Sequence, residues 1–238
     1  MNIRLFMPLM VVLAAVSCRQ RGDGPFHPRP FPMAAVPSMM TDSREAASYL
    51  AGHFWDEFTD TSFLFPCDSM LVNGVERAGV EQAYANWLAV LDMADPDEAA
   101  ESVERMFGQI VSMESTDTSS NVFESMTELT SKYLYDPNSP FRDEDLYLPF
   151  VKGLSECRFV PEGRRVGYEY DAEMCALNRK GTAAADFVFC DRNGRRYSLY
   201  GIKADYVILF FSNPGCTACK QIIDELNSDA RISDMISA

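Results

Sequence analysis

Residues 206–226 read YVILFFSNPGCTACKQIIDEL. The run 206–211 is apolar throughout, which is typical of a buried strand in the middle of a sheet. Asn213, Pro214 and Gly215 break this run, because they are residues that favour turns. After the turn, apolar side chains return at helical spacing, at Ile222, Ile223 and Leu226. The stretch therefore predicts a buried strand, a sharp turn and an amphipathic helix.

The predicted helix opens on a pair of cysteines, Cys216 and Cys219. Free N–H groups and the positive end of the helix dipole stabilise a thiolate on Cys216 and lower its pKa. Cys219 lies one helical turn further on, close enough to attack a mixed disulfide formed by Cys216. We expect Cys216 to be the catalytic nucleophile and Cys219 the catalytic resolving thiol.

The cysteine pair also fits two other interpretations. A structural zinc site needs four close ligands, and the remaining cysteines offer no second paired motif. Alternatively, the spacing is a coincidence between structural cysteines. No metal and no cofactor are predicted.

The residues before the strand predict a β-hairpin, since the apolar period changes from 3.6 to 2 at Asp186. Phe187 to Cys190 and Tyr197 to Tyr200 are the two arms, and Asn193-Gly194 turns the chain between them.

The segment from Gly181 to Leu226 resembles the first half of a thioredoxin domain of the membrane-anchored, periplasm-facing thiol-disulfide oxidoreductase type. The resemblance rests on Ala185-Asp186-Phe187, the Asn193-Gly194 hairpin, the strand ending at Phe211 and the cysteine pair. It implies that Cys216 attacks and Cys219 resolves. Gly215 stands where thioredoxin usually has tryptophan, and Thr217-Ala218 replace Gly-Pro. Whether the pair reduces or oxidises therefore stays open.

A complete thioredoxin domain needs about 100 residues, and residues 181–238 are too few. We expect the strands beside the active strand, and the cis-proline loop that holds the substrate, to be missing. The sequence is then either a fragment of a longer chain or a protein that has lost the activity.

Residues 41–180 predict an all-helical domain of unknown function. Asp42 with Glu45, and Asp95 with Pro96, mark helix starts. Later stripes predict helices from Val122 to Asp136-Pro137, from about Glu144 to Leu154, and from about Arg165 to Leu177. Trp55, Tyr84 and Trp87 are predicted core. This part resembles an uncharacterised domain that precedes thioredoxin domains in Gram-negative lipoproteins, through Phe54-Trp55-Asp56, 135–140 and 178–181.

The N-terminal residues predict a targeting signal and a membrane anchor. Residues 1–17 have the pattern of a signal peptide, with an apolar run from Leu5 to Val16 that is too short to span a bilayer. Ala15-Val16-Ser17-Cys18 resembles a bacterial lipobox, which implies lipid attachment at Cys18; cleavage without lipidation is the alternative. Residues 18–40 predict a proline-rich, mobile tether, or alternatively an arm packed on the domain through Phe26 and Phe31.

Composition limits the function. The chain of 238 residues is 47% hydrophobic and 24% charged, as expected of a globular protein, and its net charge of −14 argues against nucleic acid as a partner. Four further cysteines are Cys67, Cys157, Cys175 and Cys190. They could form two disulfides in three ways, or they could stay buried thiols. We favour buried thiols. His27 and His53 receive no role.

The predicted fold class is α plus α/β, an all-helical N-terminal domain followed by the hairpin, strand and helix (181–238) of half a thioredoxin-like fold. The predicted function is that of an exported, lipid-anchored thiol-disulfide oxidoreductase of the cell envelope, facing the periplasm. Its partners would be protein thiols and disulfides, an unidentified redox partner and the membrane. The alternative is a redox-inactive envelope lipoprotein whose helical domain is a binding module.

Overall fold

The computed structural model describes residues 27–179, 181–191 and 193–232. The chain divides after Arg179 into two compact units, here called the helical unit and the C-terminal unit. Among the described residues, no helix combines the length and the apolar composition needed to cross a membrane. The proposed signal peptide and Cys18 lie outside the described residues.

The helical unit consists of α-helices, with one small hairpin between the first two of them. Its elements are α1 (Ser43–His53), β1 (Leu71–Val72), β2 (Val75–Glu76), α2 (Arg77–Met93), α3 (Pro96–Thr116), α4 (Val122–Thr130), a π-helical turn (Ser131–Tyr135), α5 (Glu144–Glu156) and α6 (Glu162–Ala176). The hairpin corrects the expectation of an all-helical domain.

The helix starts predicted from capping residues are confirmed. The Asp42 carboxylate accepts hydrogen bonds from the backbone N–H groups of Arg44 and Glu45, which have no partner inside the helix. Asp95 caps α3 in the same way by accepting from the N–H of Asp97.

Helix α6 begins at Glu162, earlier than the predicted Arg165. Pro161 precedes its first turn, and its fixed φ suits the entry to a helix. The chain leaves the helix through Asn178, whose φ of 56° is left-handed, as at many helix C-termini.

Aromatic side chains form the centre of the core, as predicted for Trp55, Tyr84 and Trp87. All three are at most 1% exposed. The Trp55 ring contacts both of the other two, with centroid distances of 6.0 Å to Tyr84 and 5.6 Å to Trp87. Trp55 also touches Phe54 and Phe58, so it lies at the middle of the cluster.

The proline-rich arm is packed on this core over its described part, which differs from a mobile tether. The ring of Phe31 lies 5.3–5.6 Å from the rings of Phe54, Trp55 and Phe58. The backbone N–H of Arg29 donates to the carbonyl of Gly74 at 2.9 Å. Burial of the Phe31 ring offsets the loss of chain entropy, which agrees with the alternative of a packed arm.

The β1–β2 hairpin turns at Asn73-Gly74, with φ values of 45° and 77°. These left-handed values explain why Asn and Gly occupy the turn. Asn73 is 1% exposed, and its amide donates to the Phe58 carbonyl at 2.6 Å and accepts from the Phe65 N–H at 3.2 Å. The turn therefore fixes the loop that runs between them.

Gly153 on α5 permits a close approach to α3. A Cβ atom there would lie 2.4 Å from the Phe107 ring, which packs edge-to-face on Phe150. We expect Gly153→Ala to lower the free energy of unfolding by about 1–3 kcal/mol, because the ring must move out of its packing. Urea unfolding measures the change.

Gly108→Ala is the matched control, since a Cβ at this α3 position meets nothing within 4 Å. It should stabilise the chain by about 0.5–1 kcal/mol through helix propensity alone. Equal effects of the two substitutions would contradict the packing argument.

The C-terminal unit contains β3 (Val188–Cys190), β4 (Arg196–Ser198), a 3-10 turn (Leu199–Gly201) and α7 (Thr217–Ser228). The strands pair antiparallel with Phe189 opposite Tyr197, and Gly194 has a φ of 76° in the connecting turn. The hairpin and the helix were both predicted.

The run 206–211 does not form the predicted buried strand. It is extended and exposed, with Tyr206 at 77% and Phe211 at 81% exposure. A central strand needs ladder partners for its backbone groups. Within residues 181–191 and 193–232, ladder hydrogen bonds join only β3 and β4. The apolar sequence of the run 206–211 is therefore not enough by itself to form a strand.

Candidate functional site

The structure brings Cys216 and Cys219 together in a disulfide at the start of α7, with their Cα atoms 5.3 Å apart. Cys216 is the N-cap residue, and its Sγ accepts the backbone N–H of Cys219 at 3.1 Å. One of the free N–H groups of the first helical turn thus points at the sulfur. In the reduced chain, the same N–H and the helix dipole would stabilise a thiolate on Cys216.

The turn before the pair positions Cys216. Its backbone N–H donates to the carbonyl of Asn213 at 3.2 Å. Gly215 has a φ of 80°, a conformation that residues with a Cβ rarely adopt. The glycine that replaces the usual tryptophan is therefore explained by the backbone of this turn.

The cysteine pair and the apolar side chains of α7 are all partly exposed. Both cysteines are half-buried, so their exposure does not separate an outer from an inner thiol. On α7, Ile222 and Ile223 are 45% and 38% exposed, although the sequence predicted that they pack inward. The run 206–211, which was predicted to be a buried strand, is exposed as well.

Four further cysteines of the described residues are free thiols, and none of them forms a disulfide with another described residue. Cys157 and Cys175 are buried, as expected, whereas Cys67 is half-buried and Cys190 is exposed, which corrects the prediction for these two. Burial, with the negative charges of Glu144 and Asp171, raises the pKa of Cys175 to about 11. Such a thiol stays protonated and inert at neutral pH.

The described residues contain no group of three or more His, Cys, Asp or Glu side chains placed to hold a metal ion.

A polar cluster on the helical unit was not predicted. The Asp56 carboxylate accepts from Arg105 Nη2 at 3.0 Å and from Gln109 Nε2 at 2.6 Å, and it lies 2.7 Å from His53 Nδ1. Burial opposes ionisation of Asp56, but hydrogen bonds from these three side chains outweigh it, so its pKa lies below the usual value. In the sequence, only the spacing of three residues between His53 and Asp56 indicates a contact. Arg105 and Gln109, the two partners on α3, are distant from Asp56 in sequence.

The Asp56 cluster holds the end of α1 against α3. We therefore expect Asp56→Asn to lower the free energy of unfolding at pH 7. The expected loss is about 0.5–1 kcal/mol, which is typical of a partly exposed ion pair. The pKa of Asp56 is lowered in the folded chain, so its contribution is complete above the unfolded pKa of about 3.9. It disappears as the pH falls through the folded pKa.

Urea unfolding at pH 7 and pH 3 measures this effect, with the exposed Asp92→Asn as the control. The difference between wild type and Asp56→Asn should shrink at the lower pH. A difference that grows on acidification would contradict the assignment.

Comparison with known proteins identifies the helical unit. A family model described as a domain of unknown function, DUF5106, matches residues 11–178. The chain belongs to the DUF5106 family. The match confirms the likeness of the helical part to an uncharacterised domain, and the family description carries no activity.

A solved structure relates the DUF5106 chain to thioredoxin-like proteins. It is the crystal structure of a thioredoxin-like protein from Bacteroides caccae, 31% identical, with a TM-score of 0.73. The similarity covers 88% of the DUF5106 chain and 70% of the Bacteroides chain. A search of curated proteins finds no match. The thioredoxin-like part of the sequence-based interpretation is thus confirmed.

Proposed function

We propose that the chain exchanges disulfides with protein substrates through Cys216 and Cys219. The observation that carries the proposal is the disulfide at the first turn of α7, where Cys216 caps the helix. The thioredoxin-like relative supports it, because a redox role is consistent with that likeness.

The exchange needs only the two thiols and the substrate. The Cys216 thiolate attacks one sulfur of a substrate disulfide, forms a mixed disulfide and releases the other substrate sulfur as a thiolate. Cys219 loses its proton and attacks the Cys216 sulfur, which closes the Cys216–Cys219 disulfide and releases the second substrate thiolate. The substrate gains two electrons and the cysteine pair loses two. The reverse sequence oxidises a substrate dithiol.

We place this activity in the cell envelope. The support is the pattern of residues 1–17 and the lipobox-like Ala15-Val16-Ser17-Cys18, with a lipid on Cys18 as the membrane anchor. Disulfides form and persist in exported compartments, so disulfide-bonded substrates would be available there. The substrates would be cysteine-containing envelope proteins, with a separate redox partner to restore the pair.

Insulin reduction driven by dithiothreitol tests the proposal on the full chain. Wild type should accelerate precipitation of the insulin B chain, and Cys216→Ser should reduce the rate to that of dithiothreitol alone. Cys190→Ser is the matched control, because it removes an exposed thiol of the same unit and should keep the rate. Unchanged turnover in Cys216→Ser would contradict the proposal.

A further inference from the structure

Helix α6 has two apolar faces, and only one of them packs on the helical unit. Its inner face carries Ala172 and Cys175, which are buried against the core. The opposite face carries Val166 and Tyr170, 63% and 60% exposed, followed by Leu177 at 43%. Their spacings of four and seven residues place them on one stripe of the helix.

The backbone of this stripe is open to close approach. A Cβ atom at Gly163 or Gly167 would meet nothing within 4 Å. Glycine inside a helix costs about 1 kcal/mol relative to alanine, and both positions flank the exposed Val166. A partner helix could therefore approach the α6 backbone beside the Val166 and Tyr170 side chains.

Negative charge borders the stripe. Helical periodicity places Glu162 and Glu169 along one edge of the stripe formed by Val166, Tyr170 and Leu177. Glu173 lies next to Tyr170. All three glutamates are exposed. Arg164 and Arg165 fall outside this face by the same periodicity. In paired helices, charges beside the apolar stripe select the partner.

These charges argue against a second copy of the chain as the occupant. In a parallel pair of α6 helices, Glu173 would face its own copy. In an antiparallel pair, the edge with Glu162 and Glu169 would lie beside the same edge of the copy. Like charges at such positions are destabilising.

We propose that the outer face of α6 is a docking surface for an amphipathic helix of a protein partner. That helix would carry lysine or arginine beside its apolar stripe. Its apolar side chains would cover Val166, Tyr170 and Leu177, and its cations would pair with Glu162, Glu169 and Glu173. This inference does not depend on the cysteine pair.

Two synthetic helical peptides with the same apolar stripe test the proposal against the full chain. One has lysine and the other glutamate at the flanking positions, and fluorescence anisotropy measures binding at physiological salt. We expect the lysine peptide to bind at least about 10-fold more tightly than the glutamate peptide. Val166→Glu with Tyr170→Glu should abolish binding, and Cys216→Ser should preserve it.

A charge reversal separates this surface from the general negative charge of the chain. Glu162, Glu169 and Glu173→Lys should reverse the preference towards the glutamate peptide. The control changes three exposed glutamates of α3 instead, Glu98, Glu101 and Glu104→Lys, which alters the net charge equally and should keep the preference. Equal effects of the two triple variants, binding of neither peptide, or self-association through α6 would overturn the proposal.

Discussion

Cys219→Ser is expected to accumulate a covalent complex with a disulfide-bonded substrate, which the wild-type chain releases. Cys216 can still attack the substrate disulfide, but no resolving thiol follows one helical turn later to displace it. Incubation of the reduced variant with insulin, followed by acid quenching and intact-mass measurement, should show the chain plus one insulin molecule, because a single attack leaves the second interchain disulfide of insulin intact. In wild type the same species should stay at trace level.

Two further variants make the trapping experiment specific. Cys216→Ser should give no complex, because Cys219 acts only after Cys216 has formed the mixed disulfide. The N–H group of Cys219 donates to the sulfur of Cys216, so it stabilises a thiolate on Cys216 and not on Cys219. Cys190→Ser combined with Cys219→Ser should trap as much as Cys219→Ser alone. A complex that persists without Cys216, or that depends on Cys190, would contradict the assigned roles.

Trp55→Ala should lower the free energy of unfolding by about 3–5 kcal/mol, within the range for removing a large buried aromatic side chain. Trp55 is 1% exposed, and its ring contacts Phe31 of the arm as well as Tyr84 and Trp87 of α2. The cavity would lie where arm and helices meet. Both tryptophans of the chain belong to the helical unit, so fluorescence during urea unfolding reports on it.

Phenylalanine substitutions provide the matched comparison. Trp87 Nε1 donates to the Ala51 carbonyl at 3.0 Å, whereas within the described residues Trp55 Nε1 has no acceptor. Trp87→Phe should therefore destabilise the chain by about 1–3 kcal/mol more than Trp55→Phe, because it leaves a buried carbonyl without a donor. A larger loss for Trp55→Phe would contradict this difference.

Features specified by neighbouring residues could be predicted from the sequence. Asp42 and Asp95 cap helices by bonding to N–H groups two or three residues away, so the signal and the structure coincide. Asn193-Gly194 turns a hairpin for the same reason. The cysteine pair was predicted because a helix N-terminus and its cap are local features.

Features that depend on distant residues could not be predicted in this way. Arg105 and Gln109 contact Asp56 although about fifty residues separate them in sequence. No local sequence pattern predicts this polar cluster around Asp56. The run 206–211 has the composition of a central strand, but strand formation depends on ladder partners elsewhere in the chain. The Asn73-Gly74 turn differs from these two features, because it carries a local signal: valines flank the Asn-Gly pair.

The proposed exchange requires that the N-terminus of α7 make Cys216 an activated thiolate. The most direct test is the pH dependence of iodoacetamide labelling of the fully reduced chain, resolved for each cysteine by peptide mass spectrometry. We expect Cys216 to reach half its maximal rate well below the ordinary thiol value of about 8.5 and before Cys219 does, with the exposed Cys190 as the internal reference. Labelling of Cys216 that rises only at the ordinary thiol value would contradict its activation by the helix N-terminus.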